Sequence, residues 1–377
     1  MKEMFFLIDI GTTFLKGISF LIAQDKEAKV IDFVKLSCDL QKKGEFKNKL
    51  GDLVHALKKN DYKIKTIFIT AGDGVGTGKL METKIFRKNK DKKITEAEFK
   101  KILKETQQES SLLAKKEFSS QRIKIVNSNI QKIIVDKILV DNPIGMQGRE
   151  IFLRIINFYL PFTIYKETKN ILKTDLVFFY SPQLIPSALA CFQGGSEVFI
   201  DFGEKNTQII FSKNKEIEDI KIIKMGGEYF FEKISDGLKI SRNDMVLGCD
   251  AQEIILKFKR NILSPEIERQ IECIIGREYE KWQKKIEVTL KEVKDWALPK
   301  HIYIFGGGSR FLFFDKFKKE FAKPPFSFII KRIDIFDFKN IISRSRGEDT
   351  NLREDIQAVA PLIAYEAIVK IINRPIA

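Results

Sequence analysis

The chain has 377 residues, 66 Lys and Arg against 51 Asp and Glu, a formal charge of +15, and 44% hydrophobic residues. That length exceeds one simple core and predicts two to three units, and the composition excludes a disordered or fibrous chain. The charge favours acidic partners. The basic residues are scattered, as at Lys58-Lys59, Lys84 to Lys93 and Lys331-Arg332, with no arginine-rich arm, so nucleic acid is not expected as a partner.

The opening reads as strand, turn, strand: Met4 to Ile10 is apolar, Gly11 to Thr13 is the turn, and Gly17 to Ala23 is apolar again. Val30 to Leu36 continues in strand style, Phe46 to Lys59 has a helical pattern, and Ile64 to Thr70 is a short buried-type strand. A lysine-rich stretch from about Lys84 changes the texture. Thr95 with Glu98 then spells a capping box for a helix to about Lys115. Ile123 to Ile134 alternates, Asn142 to Gly145 is a turn, and Ile151 to Leu160 is a strand, together an inserted αβ subdomain. Ser181 to Ala190 starts a helix, and Val198 to Ile210 repeats the strand–turn–strand unit. Glu228 to Lys239 and Ser264 to Val293 are helical, Ile302 to Phe305 is a strand, and Ala358 to Ile372 is a closing amphipathic helix. Mixed strands and helices throughout predict α/β layers, and the repeated unit predicts two related halves.

Four cysteines (Cys38, Cys191, Cys249, Cys273) match no metal or disulfide spacing. Nothing around His55 or His301, the only histidines, supports a His metal site or a Ser-His-Asp triad. Asp9, Lys16 and the Gly11 turn interrupt the N-terminal apolar run, so it is not read as a signal peptide. No unbroken apolar stretch reaches the roughly 20 residues that span a bilayer. The expected compartment is the cytoplasm.

Three motifs carry chemistry. Asp9-Ile10-Gly11-Thr12-Thr13 with Lys16 is a hairpin whose backbone N–H groups and hydroxyls form a nest for phosphate oxygens. Asp9 could hold a hydrated Mg²⁺, and Lys16 could reach a phosphate. Asp201-Phe202-Gly203-Glu204-Lys205-Asn206-Thr207 is a second acid–Gly–Thr hairpin, so two domains are expected to clamp a polyphosphate, with Asp201 also near the cation. Gly306-Gly307-Gly308-Ser309, straight after a strand, permits close approach to a base and ribose. By contrast, Gly72 to Lys79 is not a P-loop, because Asp73 and Leu80 stand where that motif needs Gly and Ser or Thr.

Together these resemble the phosphate-1, phosphate-2 and adenosine motifs of the actin–hexokinase–chaperone ATPase superfamily. Within it the chain resembles the FtsA family of bacterial cell-division proteins. Asn142-Pro143-Ile144-Gly145-Met146-Gln147-Gly148 looks like the NPIGMxG signature. Gly226-Gly227 with Ile234 to Ile240 resembles the GG…DIAxGL segment, with Lys233 where that pattern has Asp, and Asp355 to Ala364 resembles the closing helix. The resemblance implies an actin-like α/β ATPase fold: two similar domains around a nucleotide cleft, with an FtsA-type 1C (SHS2-like) insert. It implies subdomain 1A at 1–83, 1C at 84–162, a return to 1A at 163–192, 2A at 193–226, 2B at 227–298, 2A again at 299–345, and a closing helix at 346–377. It implies ATP and Mg²⁺ as ligands, with Gly72, Gly227 and Lys233 added to the nucleotide site.

The implied partners are the FtsZ C-terminal tail through 2B, further copies of the chain in filaments, and membrane-associated divisome proteins. The implied location is the inner face of the cell membrane. Two features depart from FtsA. The phosphate-2 turn is one residue longer, a form more like PilM of the type IV pilus family, which makes a pilus adaptor the alternative. Ser187-Ala188 offers no carboxamide to orient an attacking water, so slow or negligible hydrolysis is expected. Ala364 to Ile372 is expected to pack in the core rather than anchor to membrane. A sugar or small-acid kinase ranks low, because no catalytic Asp sits in a Gly-rich sugar loop.

Overall fold

The computed structural model describes residues 2–22, 28–40, 42–58, 62–72, 74–118, 121–172, 177–180, 195–214, 216–239, 262–292, 301–305, 314–323 and 329–332. They fall into two compact units. One holds the chain up to Gly194 together with Lys213–Asp219, and the other holds Gly195–Ser212 and Ile220–Ile333.

The first unit opens with β1 (Lys2–Ile10), β2 (Phe14–Ile22), β3 (Ala28–Ser37), α1 (Glu45–Leu57) and β4 (Tyr62–Ala71). The chain then leaves this sheet through β5 (Thr77–Phe86), α2 (Glu96–Lys115), β6 (Ile123–Val135), β7 (Ile138–Leu139), β8 (Glu150–Pro161) and α3 (Phe162–Leu172). It returns with β9 (Val177–Tyr180). The main sheet has the order β3-β2-β1-β4-β9. β1–β2 and β2–β3 are antiparallel, and β1–β4 and β4–β9 are parallel. Met4, Phe6, Ile8 and Ile10 are fully buried and share a core with Leu50, Leu53 and Leu57 of α1. A strand covered on both faces reads as a continuous apolar run. This is why β1 was legible from sequence.

The insert is a four-stranded sheet of order β5-β8-β6-β7 with α2 on one face. Phe99 and Ile102 of α2 share a core with Ile133, Val135, Ile151 and Leu153. Glu98 N–H donates to Thr95 Oγ1 at 3.1 Å, as the capping box predicts. The Glu98 carboxylate takes both forks of Arg87 at 2.7 and 3.0 Å, which holds its pKa below the usual carboxylate range. Arg87 also donates to the carbonyls of Gly148 and Lys92. The Gly72 to Lys79 stretch is a turn followed by a strand, not the helix that a P-loop requires.

The second sheet and its helices run β10 (Ser196–Phe202), β11 (Thr207–Lys213), β12 (Glu216–Ile223), α4 (Gly227–Gly237), α5 (Pro265–Glu292), β13 (His301–Phe305), α6 (Phe314–Phe321) and β14 (Ile329–Arg332), all in the second unit but for Lys213–Asp219 at the β11–β12 tip. Its sheet order, β12-β11-β10-β13-β14, repeats the plan of the first, and β10–β13 and β13–β14 are parallel. Trp282 of α5 is buried between Phe202 and Phe317, with ring centroids 5.2 and 5.3 Å away. Sequence patterning did not show β5, α3, β9, β12, α6 or β14. The expected helices at Ser181 to Ala190 and Ala358 to Ile372 lie outside the described residues. Among the described residues no helix is long and apolar enough to cross a membrane.

α4 and α5 are joined by a carboxylate that is 1% exposed. Tyr229 donates to Glu278 at 2.6 Å, Lys281 at 2.9 Å and Arg277 at 3.0 Å. Burial alone would raise the Glu278 pKa, but these donors hold it down at about 2, while burial and the same carboxylate push Tyr229 up to about 12. A depressed carboxyl stabilises the fold above its unfolded pKa and loses that contribution as pH falls through the folded one. Stability of the second unit should therefore decline from about pH 4.5 toward pH 2. Glu278→Gln should cost about 1–3 kcal/mol at neutral pH and flatten this decline, as read by urea unfolding across pH.

Candidate nucleotide-binding hairpins

The β1–β2 turn closes with Gly11 N–H donating to Phe14 O at 2.9 Å, and the β10–β11 turn closes with Gly203 N–H donating to Asn206 O at 3.0 Å. A Cβ would stand 2.9 Å from that acceptor at Gly11 and 3.1 Å at Gly203, so each turn favours glycine at the same place. Both turns thus have one geometry, and each puts an aspartate two residues before the closing bond, Asp9 and Asp201.

In the first unit the register pairs Asp9 with Lys16 across β1–β2 and with Thr70 across β1–β4. Register partners share a sheet face, so Lys16, Asp9 and Thr70 form a polar row on the face opposite the α1 core. Lys16 is 4% exposed, and its Nζ lies 3.8 Å from Asp9 Oδ2. Gly72 N–H donates to Ile10 O at 3.0 Å, which brings the end of β4 beside the turn. Asp9, Gly11, Thr12, Thr13, Lys16 and Gly72 are therefore gathered at the carboxyl ends of parallel strands, where open α/β sheets bind ligands. Thr70 is a residue the sequence reading missed. It is 4% exposed, and its Oγ1 has no hydrogen-bond partner among the described residues. Its one sequence signal is a lone hydroxyl ending the apolar run Ile67-Phe68-Ile69.

In the second unit Gln208, 2% exposed, lies two residues past the closing pair, as Lys16 does in the first. The helix α4 starts on this turn. Gly227 N–H donates to Gly203 O at 3.0 Å and Glu228 N–H to Glu204 O at 2.8 Å. A Cβ on Gly226 would overlap the carbonyl of Glu204, so a glycine at 226 is what lets the helix seat against the turn. Thr207 is not brought to the turn by its side chain. It is fully buried at the core-facing place of Leu15, donating to Met225 O at 2.6 Å and accepting from Trp282 Nε1 at 2.9 Å. Lys233 lies about 9 Å along the helix from Gly227, over the Tyr229 ring and 3.4 Å from Asp236. Gly306, Gly307, Gly308 and Ser309 lie outside the described residues.

No protein-family model matches the chain, and no curated protein sequence matches it. Solved structures do. The PilM–PilN type IV pilus biogenesis complex matches with a TM-score of 0.65 at 11% identity, covering 96% of this chain and 98% of that one. The fold is that of the actin-like ATPases. Looser likenesses run to a Bacteroides thetaiotaomicron protein with actin-like ATPase fold and unknown function (TM-score 0.47, 10% identity, 96% of each chain). They also include apo psk41 ParM (TM-score 0.43, 12% identity, 99% and 100%). At such identities the likeness shows the fold alone.

Actin-like ATPases generally bind nucleotide with Mg²⁺, and the residues of the first hairpin fit that pair. Among the described residues no three His, Cys, Asp or Glu side chains stand together. A cation here would be held by Asp9, water and the nucleotide's phosphates, the arrangement Mg²⁺ favours. The bound cation would offset phosphate charge. Lys16 would supply a second positive charge, and the Thr70 hydroxyl, without a partner among the described residues, a donor. A buried hydroxyl without a partner costs stability. Thr70→Val should therefore raise the melting temperature of the ligand-free protein by a few degrees while weakening Mg²⁺–nucleotide binding about tenfold. A lower melting temperature would place that hydroxyl in a structural bond instead.

Proposed function

We propose that the chain binds ATP with Mg²⁺ through its two hairpin turns and acts as an adaptor of the PilM kind, hydrolysing ATP slowly or not at all. The observation that carries the reading is the pair of turns closed by the same bond, each led by an aspartate. Asp9 and Lys16 would serve the cation and phosphates from one unit, and Asp201 with the Gly203 turn from the other. Gly306 to Ser309 would take the adenosine. The phosphate-2 form and the likeness to the PilM chain across nearly the whole length of both support the pilus-type reading over a division-type one. On this reading the protein works at the cytoplasmic face of the membrane, held there by a membrane-bound partner, and associates with further copies of itself.

An FtsA-like division role is the second reading, favoured by the Asn142 to Gly148 stretch. In the fold that stretch is a clasp. Asn142 Oδ1 accepts from Ile144 N–H at 3.0 Å, Gly145 N–H donates to Ile94 O at 2.8 Å, and Ile94 N–H donates to Met146 O at 2.7 Å. The motif thus ties the entry of α2 to the β7–β8 connection, so its hydrogen bonds serve the architecture of the insert. FtsZ-tail binding by the 2B region and contact with other divisome proteins belong to this second reading.

Calorimetry of ATP with Mg²⁺ tests the first claim, on wild type and on Asp201→Ala, with phosphate release followed in parallel. The expected result is micromolar binding, weakened at least tenfold in the variant, with little phosphate released. Absence of binding by the wild type would sink the nucleotide reading. Robust phosphate release would sink the adaptor reading and favour an enzyme.

A further inference from the structure

β5 is an edge strand. It pairs with β8 from Thr77↔Tyr159 to Phe86↔Glu150, and no described strand lies on its other side. The register continues to Arg87, whose N–H donates to Arg149 O at 2.7 Å. Hydrogen-bonded pairs alternate in an antiparallel ladder. The odd-numbered residues of β5 therefore bond inward to β8, and the N–H and C=O groups of Leu80, Glu82, Lys84 and Phe86 point outward.

Edge strands are usually blunted by charge that projects along them. Here the charges are spent elsewhere: Glu82 accepts from Arg154 at 2.7 Å, and Lys84 pairs with Glu150 at 2.9 Å. Phe86 beside them is 63% exposed. Along the same edge runs a groove of about 430 Å³ between the end of β5, the following loop and α2. The helix lines it with Glu98, Lys101, Ile102 and Glu105, one face at i, i+3, i+4 and i+7 spacing. All three of these charges have partners, Glu98 with Arg87 and Lys101 with Glu105. At the head of the groove stand Lys88, Lys92 and Lys93, all exposed and with no carboxylate in ion-pair range among the described residues.

An open strand edge beside a helix is the arrangement by which folded domains take up an extended peptide as an added strand. The charge decides the occupant. From β5 and the groove we infer that this edge of the insert binds an extended acidic segment of a partner protein. The segment adds to β5 as a strand, with acidic side chains on the groove face toward Lys88, Lys92 and Lys93 and the alternate side chains on the opposite face, where Phe86 is exposed. A second copy of β5 is disfavoured, because it would bring the same lysine cluster up to a basic chain. The inference is independent of whether the chain binds nucleotide.

The test uses the full chain against an array of eight-residue peptides carrying Asp or Glu at alternate positions with varied residues between, and a matched array carrying Lys. The acidic array should bind and the Lys array should not. The best acidic peptide should slow amide exchange at Glu82, Lys84 and Phe86. Lys88→Glu/Lys92→Glu/Lys93→Glu should weaken it at least tenfold. Lys84→Pro removes an outward-facing N–H and spares the inward ladder, so it should abolish binding while the melting temperature holds. The proposal fails if no acidic peptide binds, if the charge reversal or the proline leaves binding intact, or if the β5 amides gain no protection. It also fails if the wild-type chain forms a dimer that Lys84→Pro dissociates, since the edge would then serve self-association.

Discussion

One closing hydrogen bond in each unit sets the geometry of the hairpin turns. Gly11 N–H to Phe14 O in the first unit, and Gly203 N–H to Asn206 O in the second, each turn a strand back on itself in four residues. A glycine is favoured because a side chain would crowd the acceptor. The bond also fixes what stands next to it. The residue two places before the turn faces the residue two places after it, so Asp9 meets Lys16 on a face left clear of the α1 core.

The two units support their turns by different means. In the first, β4 lies parallel to β1 and Gly72 is tied to Ile10, so the crossover through α1 delivers Thr70 and Gly72 to the same strand end. In the second, α4 is seated directly on the turn, which only a glycine at 226 permits. Its first turn is also held to α5, through the Tyr229–Glu278 bond. Thr207 then locks the base of the hairpin to α5 through Trp282. A hydroxyl that looks like part of a phosphate motif in the sequence is in the fold a buried link between β11, Met225 and the long helix.

Much of the fold could be read from the chain because its central strands are buried on both sides. The runs at Phe5 to Ile10 and Val198 to Phe202 cannot sit at a surface, and the acid–Gly turns after them mark the hairpins. β5 escaped notice for the opposite reason. An edge strand has one paired side, and Thr77–Phe86 mixes Lys, Glu and Thr with its apolar residues, so no alternation survives. α3 was hidden because β8 passes into it at Pro161-Phe162 without an intervening turn. Of the site, glycines and aspartates were legible because their spacing is local. Thr70 was not, since its place beside Asp9 is made by strand pairing between distant segments. Lys233 had only its position in a pattern to recommend it, and a helix carries it away from the turn.

The central claim is that two hairpins of one geometry serve one ligand. Amide hydrogen exchange on the full chain, with and without ATP and Mg²⁺, tests it most directly. The account predicts that the turns at Gly11 to Thr13 and Glu204 to Asn206 gain protection together, at one ATP concentration. Protection of a single turn, or of neither, would contradict it.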